Sequence, residues 1–237
     1  MSAILSVRDL SVSYRGVPAV SDYAVDLEPG TLTMMLGRNG AGKTSTLRGI
    51  VGFLAGETGR SAGRVELLGK PVRRPHPLAL SRAGLELIAE RNKVFTGMTV
   101  DEQLRLVAPS KALKHQVLEY FPRLQDRLAV RAGLLSGGER QMLATALALL
   151  RTPKVLLVDE LSLGLAPGVV RELMQYLRRL ADEQGLAILA ADQSVAESLA
   201  VADRVQVMDD GVVVAEGAID ELDVEGVLDT YLGREKV

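Results

Sequence analysis

The segment most clearly arranged for chemistry is GRNGAGKT, residues 37–44. It matches the pattern G-x-x-x-x-G-K-[ST] at every fixed position, after a strand-like run and before a helix-like one. Glycines let the backbone wrap an anion, and N–H groups at the helix start supply positive potential. In such a loop Lys43, a candidate catalytic residue, reaches the β- and γ-phosphates of a nucleoside triphosphate, and Thr44 holds Mg²⁺. The candidate phosphate contacts are Gly37, Arg38, Asn39, Gly40, Ala41, Gly42, Lys43, Thr44 and the adjoining Ser45.

Two adjacent acids end an apolar run, VLLVDE, at 155–160. Ligands of open α/β sheets gather at the carboxyl ends of the strands. Asp159 is therefore predicted to belong to the Mg²⁺ shell, and Glu160 to orient, or take a proton from, the water that attacks the γ-phosphate. A solvated strand end is the alternative, and the phosphate loop favours the catalytic interpretation.

A second glycine pair, in Ser136-Gly137-Gly138, also precedes a helical pattern. Its exposed N–H groups and the helix dipole would favour an anion. One interpretation is that Ser136 caps the helix and the glycines merely begin it. The other is that the segment serves a nucleotide held by a different subunit, which would close a shared site in a head-to-tail dimer.

The order and spacing of GRNGAGKT, LSGGERQ (135–141) and VLLVDE resemble the ATP-binding subunit of an ABC transporter. The resemblance covers essentially the whole chain. It implies that Ser136 and Gly138 contact the γ-phosphate bound by the partner's phosphate loop, so that ATP joins two subunits until hydrolysis releases it. It also implies that Tyr14 stacks on adenine, although the residues alone indicate a half-buried strand position.

Three positions depart from the commonest pattern of that family. Glu90, in LIAERNKVF, stands where a Gln usually links the γ-phosphate and Mg²⁺ to the helical subdomain, and its carboxylate oxygen can still ligate the metal. Gln193, in ADQS, stands where a His contacts the γ-phosphate, and it can donate a hydrogen bond without carrying a positive charge. Leu161 replaces a proline after Glu160, which leaves the loop less constrained in φ.

The first two departures, Glu90 and Gln193, are similar to one subgroup of the family, the shorter of the two ATPase subunits of branched-chain amino acid importers. ELSLGLAP at 160–167 and Tyr231-Leu232-Gly233 share this resemblance. Importers of urea, amides and aromatic acids have much of the same pattern. The resemblance implies transmembrane permease subunits, a second ATPase subunit that is identical or a sister chain, and, indirectly, an extracytoplasmic solute-binding protein.

The elements that position these residues follow from hydrophobic periodicity. Short β-like runs at 4–14, 19–27 and 31–36 have the spacing of an antiparallel region, and 63–69 resembles another such strand. Leu47, Ile50, Val51 and Leu54 give the helix after the phosphate loop its apolar face. Later, buried strands at 155–158 and 187–191 alternate with an amphipathic helix at 168–183, which predicts a parallel sheet covered on both faces. A hairpin at 205–215 and a short helix with Val227, Leu228, Tyr231 and Leu232 end the chain.

The middle of the chain is predicted to be helical. Thr99 and Glu102 form a capping-box pattern, and an apolar face continues through a break at Pro122. The proline-broken segment 71–77 is predicted as a surface loop. The fold class is therefore α/β: a P-loop NTPase core with a mostly parallel sheet, an antiparallel β subdomain and an inserted α-helical subdomain at about 98–133. The resemblance implies that the whole chain, 1–237, forms one domain of the ABC ATPase type.

Composition narrows the function classes. Lys and Arg total 28 against 30 Asp and Glu, a net charge of −2, so no global positive field draws the chain onto nucleic acid. The absence of cysteine excludes disulfides and thiolate chemistry. The longest apolar stretch, 142–150, falls short of a membrane span. No export signal is visible at the N-terminus. We therefore expect a cytoplasmic protein, and the resemblance to a transporter subunit implies a peripheral position on the inner face of the membrane.

The leading hypothesis is the ATPase subunit of an importer for branched-chain or related hydrophobic amino acids. One alternative is a weakly hydrolysing regulatory partner, with Glu90 and Gln193 marking its site. An ATPase that acts on DNA or ribosomes is another, although such chains usually carry two nucleotide domains or long insertions. An exporter subunit remains open on the motifs alone.

Overall fold

The computed structural model describes residues 2–54, 58–90, 94–193, 195–223 and 226–227. Within these ranges the strands are β1 (Leu5–Tyr14), β2 (Val17–Leu27), β3 (Leu32–Leu36), β4 (Gly59–Leu67), β5 (Lys70–Pro71), β6 (Leu85–Ile88), β7 (Val155–Asp159), β8 (Ala187–Asp192), β9 (Arg204–Asp209) and β10 (Val212–Ala218). The helices are α1 (Lys43–Val51), α2 (Pro77–Arg82), α3 (Val100–Val107), α4 (Lys111–Glu119), α5 (Pro122–Gln125), α6 (Gly137–Leu149), α7 (Pro167–Gln184) and α8 (Val195–Leu199), with a 3₁₀ turn at Ala132–Leu134.

A six-stranded sheet forms the centre of the fold, in the order β10-β9-β3-β8-β7-β6. Its strands are parallel except for β10, which forms the predicted hairpin with β9. The mostly parallel sheet is thus confirmed. The assignment of 31–36 to the antiparallel region is wrong, because β3 pairs in parallel with both β8 and β9. The spacing of β-like runs and turns in the sequence does not show whether a strand pairs with its sequence neighbour or crosses over to a parallel strand.

A second sheet is antiparallel and has four strands, in the order β2-β1-β4-β5. The strand predicted at 63–69 begins four residues earlier, at Gly59, and ends at Leu67. Pro71 lies in the short edge strand β5, which is compatible with a residue that lacks an N–H donor. The predicted loop at 71–77 is correct up to Pro77, which is the first residue of α2.

Hydrophobic cores cover both faces of the central sheet, as predicted. Side chains alternate along a strand, so Leu32, Met34 and Leu36 of β3 face one core while Met35 faces the other. The first core is completed by α6 and α7, and the second by α1 and the antiparallel sheet. The buried positions of β7 and β8 are therefore apolar up to the aspartates that end these strands, Asp159 and Asp192.

The helices follow the predicted periodicities, except that α1 ends at Val51, where Gly52 in the left-handed conformation is the C-cap, so that Leu54 lies beyond the helix. The buried positions of α7 include Val170, Leu173, Met174, Leu177 and Leu180, the face read from the sequence. The capping box of Thr99 and Glu102 begins α3. The helices α3 to α5 occupy the range predicted for a helical subdomain, whose status as a separate subdomain stays a prediction. Neither α2 nor β6 was predicted, because each is too short to show a period.

The end of the chain gives little test of its predicted helix. Gly226 and Val227 are helical, whereas Leu228, Tyr231, Leu232 and Gly233 lie outside the described residues. In the described ranges, no helix has the length and apolar character that crossing a bilayer requires.

Candidate functional site

Three neighbouring strands bring the candidate residues to one edge of the sheet. β8 lies between β3 and β7, Leu36 pairs with Asp192, and Asp159 pairs with Ala191. The chain leaves β3 into the phosphate loop, β8 into Gln193 and β7 into Glu160. Parallel pairing places these three exits side by side, although they are far apart in sequence.

The phosphate loop adopts backbone conformations that require glycine. Gly40 and Gly42 have φ values of 88° and 100°, in the left-handed region that side chains disfavour. A Cβ atom on Gly42 would lie 2.7 Å from the carbonyl oxygen of Ala19, and one on Gly37 would lie 2.5 Å from that of Met208. α1 begins directly afterwards, at Lys43. The loop therefore presents bare backbone and a helix start, the environment that binds phosphate.

Lys43 lies inside this loop, with only 4% of its surface exposed. Its Nζ donates to the carbonyl oxygens of Gly37 at 2.7 Å and Arg38 at 3.1 Å. Burial lowers the pKa of the ammonium, and the carboxylates of Glu160, Asp159 and Asp192 act in the opposite direction. A buried cation whose hydrogen-bond partners are neutral carbonyl groups is stabilised further when an anion, such as a phosphate, binds beside it.

Thr44 and Asp159 form a pair of oxygen ligands across the site. The Thr44 hydroxyl donates to Asp159 Oδ1 at 2.8 Å, and Asp159 is 1% exposed. Burial raises the pKa of Asp159; the hydrogen bond from Thr44 and the charge of Arg48 act against this shift, and the charges of Glu160 and Glu90 add to it. Hard oxygen donors and concentrated negative charge are what Mg²⁺ requires, so the residues fit this ion. Thr44 and Asp159 would hold the ion, which would neutralise negative charge that develops on the phosphates.

The side-chain amide of Gln193 is hydrogen-bonded to both Glu160 and Asn39. Gln193 Nε2 donates to Glu160 Oε1 at 3.0 Å and to Asn39 Oδ1 at 2.7 Å. Because β8 is the middle strand, one side chain reaches the loops that follow both neighbours. Glu160 has a φ of 48°, which is uncommon for a residue other than glycine and is concentrated at functional sites.

Asp192 and Ser162 are site residues that sequence reasoning missed. Asp192 is fully buried, and its Oδ2 accepts from the backbone N–H of Ser162 at 3.0 Å. Its Oδ1 accepts from the Ser162 hydroxyl and from the backbone N–H of Gln193, the latter at 2.6 Å. The signal was available, because Asp192 ends the apolar run AILAA as Asp159 ends VLLV.

The segment around Ser136 begins α6 with a capping box. The Ser136 hydroxyl accepts from the N–H of Glu139 at 3.2 Å, and the Glu139 carboxylate accepts from the N–H of Ser136 at 2.8 Å. A Cβ on Gly137 would lie 2.7 Å from Leu165 Cδ2, and one on Gly138 would lie 2.4 Å from Val169 Cγ1. The glycines therefore allow the loop before α7 and its first turn to pack closely. Contact with a nucleotide on a second subunit stays a prediction.

Glu90 and Tyr14 lie in different surroundings. Half-buried Glu90 lines a cleft of about 440 Å³ together with Glu160 and Gly137. Tyr14 is the last residue of β1 and half-buried, with its ring 3.3 Å from a Cβ placed on Gly59. The structure thus brings the phosphate loop, Asp159, Glu160 and Gln193 together, with Glu90 beside them. The role of Tyr14 on adenine stays a prediction.

Comparisons with known proteins cover nearly the whole chain. The ABC transporter family model matches residues 20–162. The high-affinity branched-chain amino acid transport ATP-binding protein BraG of Pseudomonas aeruginosa is 34% identical over 97% of this chain and 100% of its own. The lipopolysaccharide export system ATP-binding protein LptB of Escherichia coli is 29% identical over 98% of each chain. Among solved structures, the ADP conformation of an ATP-binding cassette of an ABC transporter is 25% identical with a TM-score of 0.84, over 99% of this chain and 100% of that one.

Proposed function

Because this chain belongs to the ABC transporter family and is an ATPase, we propose that it drives uptake of branched-chain or related hydrophobic amino acids. Separate transmembrane permeases carry the solute, and a second ATPase subunit completes each site. The chain then works in the cytoplasm, on the inner face of the membrane, and an extracytoplasmic binding protein delivers the solute. Similarity to BraG along its entire length supports this choice of solute, as do Glu90 and Gln193.

The proposed reaction assigns a part to each residue at the sheet edge. The loop backbone and Lys43 hold the phosphates, while Thr44, Asp159 and Glu90 would hold Mg²⁺. Glu160 orients a water and takes its proton as the oxygen attacks the γ-phosphorus and the bond to the bridging oxygen breaks. Gln193 holds the Glu160 carboxylate in place. Ser136 and Gly138 of the second subunit close the site from the other side.

One observation carries this proposal: Lys43, Asp159 and Glu160 meet at the carboxyl ends of β3 and β7, and Gln193, which follows β8 between them, bonds Asn39 of the phosphate loop and Glu160. Lys43→Ala should abolish nucleotide binding, measured by calorimetric titration with ATP. Lys70→Ala removes a lysine from the exposed strand β5 and should leave binding unchanged. Undiminished ATP affinity in Lys43→Ala would refute the assignment of the phosphate loop.

The proposed base has its own test. Glu160→Gln should bind ATP, lose turnover and accumulate as an ATP-bound dimer, detected by light scattering after gel filtration. Dimerisation follows if the uncleaved triphosphate keeps the two subunits joined. Normal turnover in this variant, or ATP bound only to monomers, would contradict the shared site.

A groove beside Glu90 fits a permease segment. It has a volume of about 430 Å³ and is lined mainly by apolar side chains of α2, β6 and α6, and by Ala89, the residue before Glu90. Phe53 and Leu78 line this groove and are 56% and 50% exposed, and apolar side chains gathered in one exposed patch mark an interaction site. Phe53→Ser and Leu78→Ser should abolish copurification with the permeases from membranes. Val17→Ser, at an apolar position in β2 that is 66% exposed and outside this groove, is the control.

Two other functions remain candidates on specific observations. Similarity to LptB over 98% of the chain is compatible with export. The bond from Gln193 to Glu160 is compatible with a weakly hydrolysing partner subunit. Uptake of labelled leucine and of urea, in cells with and without this chain, distinguishes import from export and one solute class from another. Robust ATP hydrolysis by the purified chain would exclude the weak partner.

A further inference from the structure

We propose that Asp192 is a positioning residue for ATP hydrolysis. Its carboxylate clamps the loop that carries Glu160 to Gln193, the residue whose side chain holds the Glu160 carboxylate. The proposal rests on the proposed function of this site, in which Glu160 is the base. Asp192 acts through Ser162 and Gln193, and it need not touch the substrate.

The contacts form a closed ring. From Glu160 the chain passes through Leu161 to Ser162, whose N–H and hydroxyl both donate to Asp192. From Asp192 the chain passes to Gln193, whose side chain returns to Glu160 at 3.0 Å. The N–H of Glu160 also donates to the carbonyl oxygen of Ala191 at 2.9 Å. Each end of the short loop at 160–162 is therefore attached to the end of β8.

Because Asp192 is buried, its carboxylate depends on the hydrogen bonds that it accepts. Its side chain is 0% exposed, and a buried carboxylate persists only where hydrogen bonds or charges stabilise it. Three donors from Ser162 and Gln193 supply that stabilisation, and Lys43 is close enough to interact electrostatically. An amide at this position would turn one acceptor into a donor, which would then face another donor.

The clamp restrains a strained part of the chain. Glu160 has a positive φ of 48°, a conformation that surrounding contacts must maintain. Leu161 is 2% exposed and packs in the core, so Ser162 is the next residue able to hold the loop by hydrogen bonds. Asp192 fixes Ser162 on one side and the N–H of Gln193 on the other. A small displacement of a catalytic group costs on the order of 100-fold in rate.

The test separates positioning from folding by comparing turnover with affinity. Asp192→Asn and Ser162→Ala should each lower kcat by about 10- to 100-fold, with the Kd for ATP unchanged. Ser162→Thr, which keeps the hydroxyl donor, should restore most of the turnover. The double variant should be no slower than Asp192→Asn alone, because both changes break one unit.

Asp203→Asn is the matched control. This carboxylate accepts from the N–H of Leu32 at 2.7 Å and from Arg178, at the amino end of the sheet. It should lower stability without lowering kcat. The proposal would be overturned if Ser162→Ala had normal turnover, or if it lost ATP affinity together with kcat. Ser162→Ala decides the question even if Asp192→Asn fails to fold. If Glu160→Gln is inactive while Ser162→Ala is normal, the clamp is wrong and the base assignment stands.

Discussion

Asp159 lies almost fully buried at the end of β7, and burial raises the pKa of its carboxyl group. A carboxyl group whose pKa is raised by folding contributes stability below its unfolded pKa of about 3.9. That contribution is lost as the pH rises through the folded pKa. At neutral pH the ionised carboxylate therefore destabilises the chain unless a cation is bound beside it.

Asp159→Asn should consequently raise the thermal midpoint of the nucleotide-free chain at pH 7. The amide keeps an oxygen to accept from Thr44 and removes the buried charge. In a domain of this size each kcal/mol corresponds to about 2–4 °C, so scanning calorimetry resolves the effect. The gain should shrink toward pH 4, and the stabilisation by Mg²⁺ and ATP should vanish. A lower midpoint at pH 7 would contradict the assigned direction of the pKa shift.

The residues that could be predicted from sequence are those with local patterns. GRNGAGKT is complete within eight positions, and Asp159 with Glu160 directly follows an apolar run. The contact of Asp192 with Ser162 could not be predicted, because it joins residues 30 apart and exists only through pairing of β7 with β8. The departures at Glu90 and Gln193 were recognised by resemblance, yet only the structure shows Gln193 bonded to Asn39.

At the scale of elements, the start of α6 has two separable properties. Ser136 is the N-cap, and in the proposed function it also contacts a phosphate held by the second subunit. Ser136→Ala should cost about 1 kcal/mol of stability and lose turnover. Ser136→Asp should keep the cap, because aspartate is among the best N-cap residues, yet lose turnover through repulsion of the phosphate. Urea denaturation and ATPase assays measure the two effects.

Ser110 provides the matched control for this helix start. It is the N-cap of α4 and accepts from the N–H of Leu113 at 3.1 Å. Ser110→Ala should lower stability by a similar amount without changing turnover. If Ser136→Asp hydrolyses ATP normally, the segment is a helix cap alone.

Long periodic elements could be predicted and short ones could not. α7 runs for 18 residues with one buried face, so its period is unambiguous. β6 has four residues, and its only strong indication is its pairing with β7. The pairing of β3 with β8 and β9 depends on the whole topology, which explains why its local spacing misled.

At the scale of the whole molecule, α7 connects the middle helices to the sheet. Phe121 packs against Tyr176 with ring centroids 5.2 Å apart, and the Tyr120 hydroxyl donates to Glu183 at 2.9 Å. Arg123 pairs with Glu172 at 3.2 Å. Contacts of three kinds thus hold α4 and α5 against a core helix whose first turn packs on Gly138.

Phe121→Ala should lower the free energy of unfolding by about 3–5 kcal/mol, as expected for a fully buried aromatic residue. Phe95→Ala, at a position 66% exposed, should change it by less than about 0.5 kcal/mol. Urea titrations of both variants measure the difference. A small effect at Phe121 would mean that the middle helices contribute little to the cooperative unit.

Gln193 places a side chain that does not titrate where the family pattern usually has a histidine. Its amide neither gains nor loses a proton across the physiological range, whereas an imidazole in that position would titrate near pH 6.5. The donation of hydrogen bonds by Gln193 to Asn39 and Glu160 therefore does not change over the pH range in which a histidine would become charged. In the proposed function, ATP hydrolysis should therefore show no inflection from this position, and Gln193→His should introduce one into the profile of activity against pH.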